Sequence, residues 1–253
     1  MLQGNVGRRG RKDVVQLKQP GATFSVVIPT KNEAKNLPHV IPRIPKWIDE
    51  VIVVDGRSTD DTVAIAKKLN PNVVIINEER PGKGAALRAG IAAAQGDIII
   101  TLDADGSADP AEMAKFISAL LAGADFAKGS RFLPGGGTDD MEWYRRAGNW
   151  GLLQLVRLRF GGPYTDLCYG YNAFWRDVVP ALGLEKADGF EVETVMNINA
   201  LRAKLSIREI ASKEYPRIHG TSNLNTITDG WRVLKTIATL GLAGAHSSMS
   251  SAG

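Results

Sequence analysis

One cysteine, Cys168, stands among 253 residues, so no disulfide forms within the chain, and a reducing compartment suits it. No base or metal ligand is spaced around it, and Cys168 reads as a small buried apolar residue. No run approaches the roughly 18 uninterrupted apolar residues that cross a bilayer. The basic N-terminus carries Arg8, Arg9, Arg11 and Lys12 but no apolar stretch after them. That pattern argues against a secretory leader and for a disordered basic arm over 1–21. The net charge is only +4. It favours phosphates, nucleotides or anionic headgroups as partners and is too small to indicate nucleic acid. Gly-x-x-x-x-Gly-Lys-Ser/Thr is absent, which excludes a P-loop, and Leu87 follows Gly82 and Gly84 where a dinucleotide fingerprint requires a third glycine.

What is present is an alternation of short apolar runs and helical patterns. Runs at 24–28, 51–54, 73–76 and 98–102 are apolar throughout, as strands buried on both faces are. Between them the spacing predicts helices over 33–44, 58–69 and 83–94, with Ser58 or Thr59 capping the second. Asp109-Pro110 opens a fourth helix over 110–121, and a fifth strand follows at 125–128. Strand–helix–strand repetition implies parallel strands with right-handed crossovers. The second half is less regular. It offers a glycine loop at 135–137, helices over 142–160, 190–204 and 226–240, and a strand at 206–211. The final stretch, 241–253, reads as a disordered tail.

In a parallel sheet, ligands bind beyond the carboxyl ends of the strands. Here those ends carry Pro29 to Glu33, then Asp55-Gly56, then Arg80 to Gly84, then Asp103-Ala104-Asp105. Asp103 and Asp105, two apart on an extended segment, can turn both carboxylates the same way. Two hard oxygen ligands suit Mg²⁺ or Mn²⁺. The competing reading is that they cap the following loop; the company of the other polar groups favours a cation. Lys83, at a glycine turn opening a helix, is placed to meet a diphosphate or else is a solvated lysine.

Taken together, these segments resemble the family 2 glycosyltransferases of GT-A fold, and within them the dolichyl- or polyprenyl-phosphate sugar synthase branch. The resemblance runs in order through 28–33, 54–60, 82–86, 103–105, 129–132, 166–171 and 217–222, and covers about 22–240. It implies a single Rossmann-like α/β domain whose mostly parallel central sheet is flanked by helices. A nucleotide-binding half would span 22–130 and an acceptor half 131–240. It further implies that Pro29, Thr30, Asn32, Glu33 and Asp55 line the base and ribose pocket. Lys83, Asp103 and Ala104 would sit at the nucleotide, and Asp103 and Asp105 at the metal, with His219 a candidate third ligand. Arg131 would face an acceptor phosphate, Asp166 would be the catalytic carboxylate, and Arg217 would close over the diphosphate. Three departures stand out. Asp55-Gly56 replaces a double Asp. Ser107 stands where the branch has Gln. Ser222-Asn223 stands where the branch often has Ser-Lys, a change that speaks against a phosphate acceptor.

The expected reaction is metal-dependent, inverting transfer from a UDP- or GDP-sugar, with polyprenyl phosphate preferred slightly over a soluble hydroxyl acceptor. A hydroxyl needs a base, for which Asp166 comes first and Glu191 and Glu193 follow. Arg145 and Arg146 beside Trp143 and Tyr144, and the 226–240 segment, offer a peripheral membrane contact on an otherwise cytoplasmic protein. The alternatives are a sugar-phosphate nucleotidyltransferase and a non-catalytic nucleotide-sugar-binding module. The first expects a glycine- and arginine-rich loop after the first strand, and Pro29 to Asn32 is not one.

Overall fold

The computed structural model describes residues 21–221 and 226–249, so nearly all of the expected basic arm and the Ser222-Asn223 departure lie outside the described residues. The strands are β1 (Phe24–Thr30), β2 (Glu50–Asp55), β3 (Val74–Asn77), β4 (Ile98–Thr101), β5 (Phe126–Ser130), β6 (Gly137–Thr138), β7 (Asn172–Trp175), β8 (Ile207–Ala211) and β9 (Lys213–Glu214). The helices are α1 (Leu37–Val40), α2 (Thr62–Leu69), α3 (Lys83–Ala93), α4 (Met113–Leu121), α5 (Trp143–Phe160), α6 (Val179–Leu182), α7 (Val192–Arg202) and α8 (Thr226–Met249).

A seven-stranded sheet runs in the order β3-β2-β1-β4-β7-β5-β8, and β6 pairs with β9 beside it. Val26, Val27 and Ile28 of β1, Ile52 to Val54 of β2 and Ile98 to Ile100 of β4 are inaccessible to solvent. That is what all-apolar runs require of strands covered on both faces. The register pairs Thr30 with Asp55 and Asp55 with Asn77, so these strands end level on one edge.

Strand β7 was not foreseen. It pairs antiparallel with both β4 and β5. Four residues, Asn-Ala-Phe-Trp, are too few to show a period, and they follow a loop rich in aromatics. Its direction matters for function. Asn172 lies opposite Thr101, so the loop before β7 meets the edge where β4 delivers Asp103.

Other elements depart from the sequence pattern for local reasons. The helix expected over 33–44 is only α1 and a 3₁₀ turn, Ile41–Arg43. Pro42 has no N–H to donate and its ring would clash with the carbonyl one turn back. Helix α2 begins at Thr62, because Ser58 and Thr59 are drawn into contacts with the β1 loop. The Asp109 cap is present, its Oδ1 accepting from the Ala111 N–H at 3.0 Å, but the first turn it caps is 3₁₀. Helix α8 continues through the expected tail as far as Met249. No proline stops it, and Leu242, Ala243 and Ala245 are good helix formers.

Candidate active site

The carboxyl edge of β1 and β2 is held by side-chain bonds between loops. Asn32 takes a left-handed backbone, φ 58°, which asparagine tolerates. Its N–H donates to Ser58 Oγ at 2.8 Å, and its Oδ1 accepts from the Thr59 N–H at 2.8 Å. Thr30 donates to the Val54 carbonyl at 3.0 Å, and Pro29 is half-buried in the strand. Asp55 is buried; one oxygen accepts from the Ser58 N–H at 3.1 Å. Its Oδ1 has no partner among the described residues. A carboxylate oxygen left bare beside a cleft is an acceptor awaiting a donor.

Lys83 opens α3 and lies between two carboxylates. Its Nζ is 2.6 Å from Asp103 Oδ1 and 2.7 Å from Glu193 Oε1. Burial alone would lower its pKa, but Asp103 and Glu193 outweigh that and hold it above the ordinary lysine value. The approach of the 187–189 segment to the start of α3 depends on glycine. A Cβ on Gly82, φ +114°, would lie 2.0 Å from the Asp188 carbonyl oxygen, and one on Gly84 2.3 Å from that of Ala187. Gly170, just before β7, covers the triad so closely that a Cβ there would lie 2.6 Å from Lys83 Nζ.

Asp105 and Glu33 are joined by Arg217. Nη2 donates to Glu33 Oε1 at 2.5 Å, Nη1 reaches Asp105 Oδ2 at 3.4 Å, and Nε donates to the His219 carbonyl at 2.7 Å. Asn36 braces this strap by donating to Glu33 Oε2 at 2.6 Å and accepting from the His219 N–H at 2.9 Å. The strap also lies along the β4 loop, with Tyr215 N–H donating to the Ser107 carbonyl at 2.8 Å and Ile218 N–H to that of Asp105 at 3.2 Å. Ala104, between the two aspartates, is buried in the core.

Asp103 and Asp105 keep 31% and 23% of their side-chain surface and so face the cleft, not the interior. Around them, Glu33, Asp103, Asp105 and Glu193 set four carboxylates against the two cations Lys83 and Arg217. The surplus of two negative charges, on hard oxygen donors, fits a divalent cation. The ring of His219 lies 5.6 Å from that of His39, and among the described residues no group of three or more His, Cys, Asp or Glu is gathered as a metal cage.

Arg131, expected to face an acceptor phosphate, and Asp166, expected to be the catalytic carboxylate, are turned inward on each other. Arg131 Nε donates to Asp166 Oδ2 at 2.6 Å, Nη2 to Oδ1 at 2.9 Å, and its backbone N–H to Oδ2 at 3.2 Å. Their side chains are 4% and 0% exposed. Nη1 of Arg131 is taken by Glu214, at 2.9 and 3.0 Å. Burial would raise the Asp166 pKa, but the guanidinium overcomes it and holds the carboxyl below its ordinary value. Asp166 is therefore ionised and fully engaged. Glu193 is likewise committed to Lys83, and Glu191 Oε1 accepts from the Gly189 N–H at 3.0 Å.

Cys168 is exposed, not buried as its residue type suggests. It belongs to the loop that β7 turns toward the cleft, where surrounding atoms and the Asp166 charge push its thiol up to about 12. Sequence reasoning missed Gly170, Glu214 and Asn36. Glu214 lies 83 positions from Arg131, and Asn36 lies 183 from the strap it braces; no local pattern couples such partners.

The model of the family described as glycosyl transferase family 2 matches residues 25–183. An uncharacterized glycosyltransferase of Mycobacterium tuberculosis is 32% identical over 223 residues, covering 85% of this chain and 99% of its own. The polyprenol monophosphomannose synthase of Mycolicibacterium smegmatis is 32% identical over 219 residues, covering 82% and 83%. Among solved structures, glucosyl-3-phosphoglycerate synthase from Mycobacterium tuberculosis, in complex with Mn²⁺, UDP and glucosyl-3-phosphoglycerate, superposes with a TM-score of 0.69 at 25% identity, covering 94% of this chain and 86% of that one.

Proposed function

Because the chain belongs to glycosyl transferase family 2 and is a glycosyltransferase of GT-A fold, we propose that it moves a sugar from a UDP- or GDP-sugar to polyprenyl phosphate, inverting the anomeric carbon. One observation carries this reading: two cleft-facing aspartates after β4 lie in a field of four carboxylates and two cations. Asp103 and Asp105 would hold Mg²⁺ or Mn²⁺, which when bound supplies charge neutralisation for the departing diphosphate. Relatives in complex with Mn²⁺ or Mg²⁺ and UDP support that choice.

The donor is assigned to the 22–130 half, with the acceptor half over 131–240. Pro29, Thr30, Asn32, Glu33 and Asp55 line the base and ribose pocket, and the bare Oδ1 of Asp55 accepts a base or ribose donor. Lys83, beside Asp103 and Ala104, offers its charge to the phosphates. Arg217 releases Glu33 and Asp105 and turns its fork to the diphosphate, for which two oxygens per guanidinium suit it. The locked state of Asp166 favours the phosphate acceptor. A phosphate monoester is ionised near neutral pH and attacks without a base, whereas a hydroxyl needs a free carboxylate. Asp166 and Arg131 then act by fixing the 166–171 loop beside the anomeric carbon.

A second reading, a soluble acceptor, rests on the likeness to glucosyl-3-phosphoglycerate synthase. Melting the purified chain with a panel of nucleotide sugars, with and without Mn²⁺, tests the donor side. The cognate donor at about a hundred times its Kd contributes about 2.7 kcal/mol, a rise of roughly 5–10 °C for a domain this size. Transfer assays with polyprenyl phosphate and with 3-phosphoglycerate then separate the acceptors. Asp105→Asn is expected to keep the fold and lose both metal-dependent stabilisation and turnover; near-normal turnover by this variant in Mg²⁺ and Mn²⁺ would end the proposal.

A further inference from the structure

Lys128, in the middle of β5, has no accessible surface, and the reaction described above gives it no part. Its Nζ donates to the carbonyls of Gly129 at 2.9 Å and Tyr169 at 2.6 Å and lies 5.7 Å from the centre of the Tyr169 ring. Among the described residues it forms no ion pair with a carboxylate. Burial holds its pKa below the ordinary lysine value, against the through-space pull of Asp166, Glu209 and Glu193. A buried amine without a counter-charge in contact is costly, and an apolar side chain of similar length would pack there at lower cost. Stability alone does not account for a lysine at this position.

What Lys128 holds is the turn ahead of β7. Three successive carbonyls of that turn are tied to β4, β5 and β7. Tyr169 is bonded to Lys128, Gly170 to Thr101 Oγ1 at 2.8 Å and Asn172 Nδ2 at 3.2 Å, and Tyr171 to the Gly129 N–H at 2.8 Å. Among the described residues, Lys128 makes the only hydrogen bond to the peptide that joins Tyr169 to Gly170. A glycine leaves such a peptide free to turn unless something fixes it. The Tyr169 ring is anchored separately, its hydroxyl 3.1 Å from Ser212 Oγ and its face 5.0 Å from the Arg131 guanidinium. Without the lysine, freedom would therefore enter at Gly170, the residue that touches Lys83, Asp103 and Glu193. We propose that Lys128 is a positioning residue: it fixes the peptide between Tyr169 and Gly170 and so seats Gly170 on the charged groups assigned to the donor. The seating is independent of donor and acceptor; its effect on transfer rests on the reading above.

Cys168, the single cysteine of the chain, immediately precedes Tyr169 and reports on the turn without any substrate. In Lys128→Met, its alkylation at pH about 8 should run at least about fivefold faster than in the parent, with the melting temperature within about 6 °C. Loss of the lysine charge by itself acts the other way. Burial and Asp166 push the Cys168 thiol up, and the lysine charge draws it down. An equal or slower rate would therefore overturn the proposal. Lys128→Gln keeps an amide donor for the carbonyl; its rate should fall between the two, and it carries the test if the Met variant melts lower. A larger melting loss in both variants would make the lysine a stability residue and also overturn the proposal. With the cognate donor, Lys128→Met should lower kcat/KM about tenfold. Gly170→Ala should then cost at least about fivefold less in the Met background than in the parent, because a released turn carries the methyl away from the charges. Additive losses would overturn the proposal. If alkylation responds as stated but the parent turns over no nucleotide sugar, the transfer reading fails and the positioning stands.

Discussion

Replacing Asp166 by asparagine separates a base from a brace. The side chain is fully buried, and Arg131 makes three hydrogen bonds to it, at 2.6, 2.9 and 3.2 Å. Removing one partner of a buried pair costs about 3–5 kcal/mol when the other charge is left alone. Here Glu214 still holds the guanidinium, at 2.9 Å, so the lower end, about 3 kcal/mol, is expected. At roughly 2–4 °C per kcal/mol for a domain of this size, melting should fall by about 6–12 °C. The pH dependence has a definite sign. The Asp166 pKa is held below the ordinary 3.8, so its stabilisation is complete above that value and fades as pH falls through the lower folded-state pKa. The gap between parent and variant, measured by thermal or urea unfolding, should thus be full near neutrality and narrow below pH about 4. An unchanged melting temperature, with lost turnover and a kcat profile missing its acidic limb, would refute the brace and restore the base.

Other outcomes follow from the same geometry. Gly170→Ala should drive a methyl between Lys83, Asp103 and Glu193, at 2.6, 2.9 and 3.2 Å from their charged atoms. Misplacing these groups should cut kcat/KM for the donor by about ten- to a hundredfold, with a melting shift under about 4 °C; unchanged kinetics would show that the triad does not touch the donor. Cys168 is exposed, yet its thiol is pushed up to about 12. Alkylation at pH about 8 should run roughly several tens of times slower than for a free thiol, the scarcer thiolate being offset in part by its greater nucleophilicity, and should keep rising past pH about 9. Labelling at the rate of a small-molecule thiol would contradict that environment.

The amino-acid sequence by itself determined the sheet's core and its working edge. Short, β-branched, unbroken apolar runs such as Ile98 to Ile100, bounded by turn residues, read as strands covered on both faces, and such strands put Asp55, Lys83, Asp103 and Asp105 at one end. Period and turn chemistry act over a few residues, so they also marked α3, α4 and α5 closely, and missed where prolines compete, as at Pro38 and Pro42. Tertiary structure alone decided what each charged group does. It inserted β7 antiparallel, which brought the 166–171 loop to the cleft and exposed Cys168. It also paired Asp166 with Arg131, Glu193 with Lys83, and Glu33 with Arg217 across 184 positions. Residue type sets what a charge is able to do, but burial and the nearest opposite charge set what it does, and both arise from segments far apart along the chain.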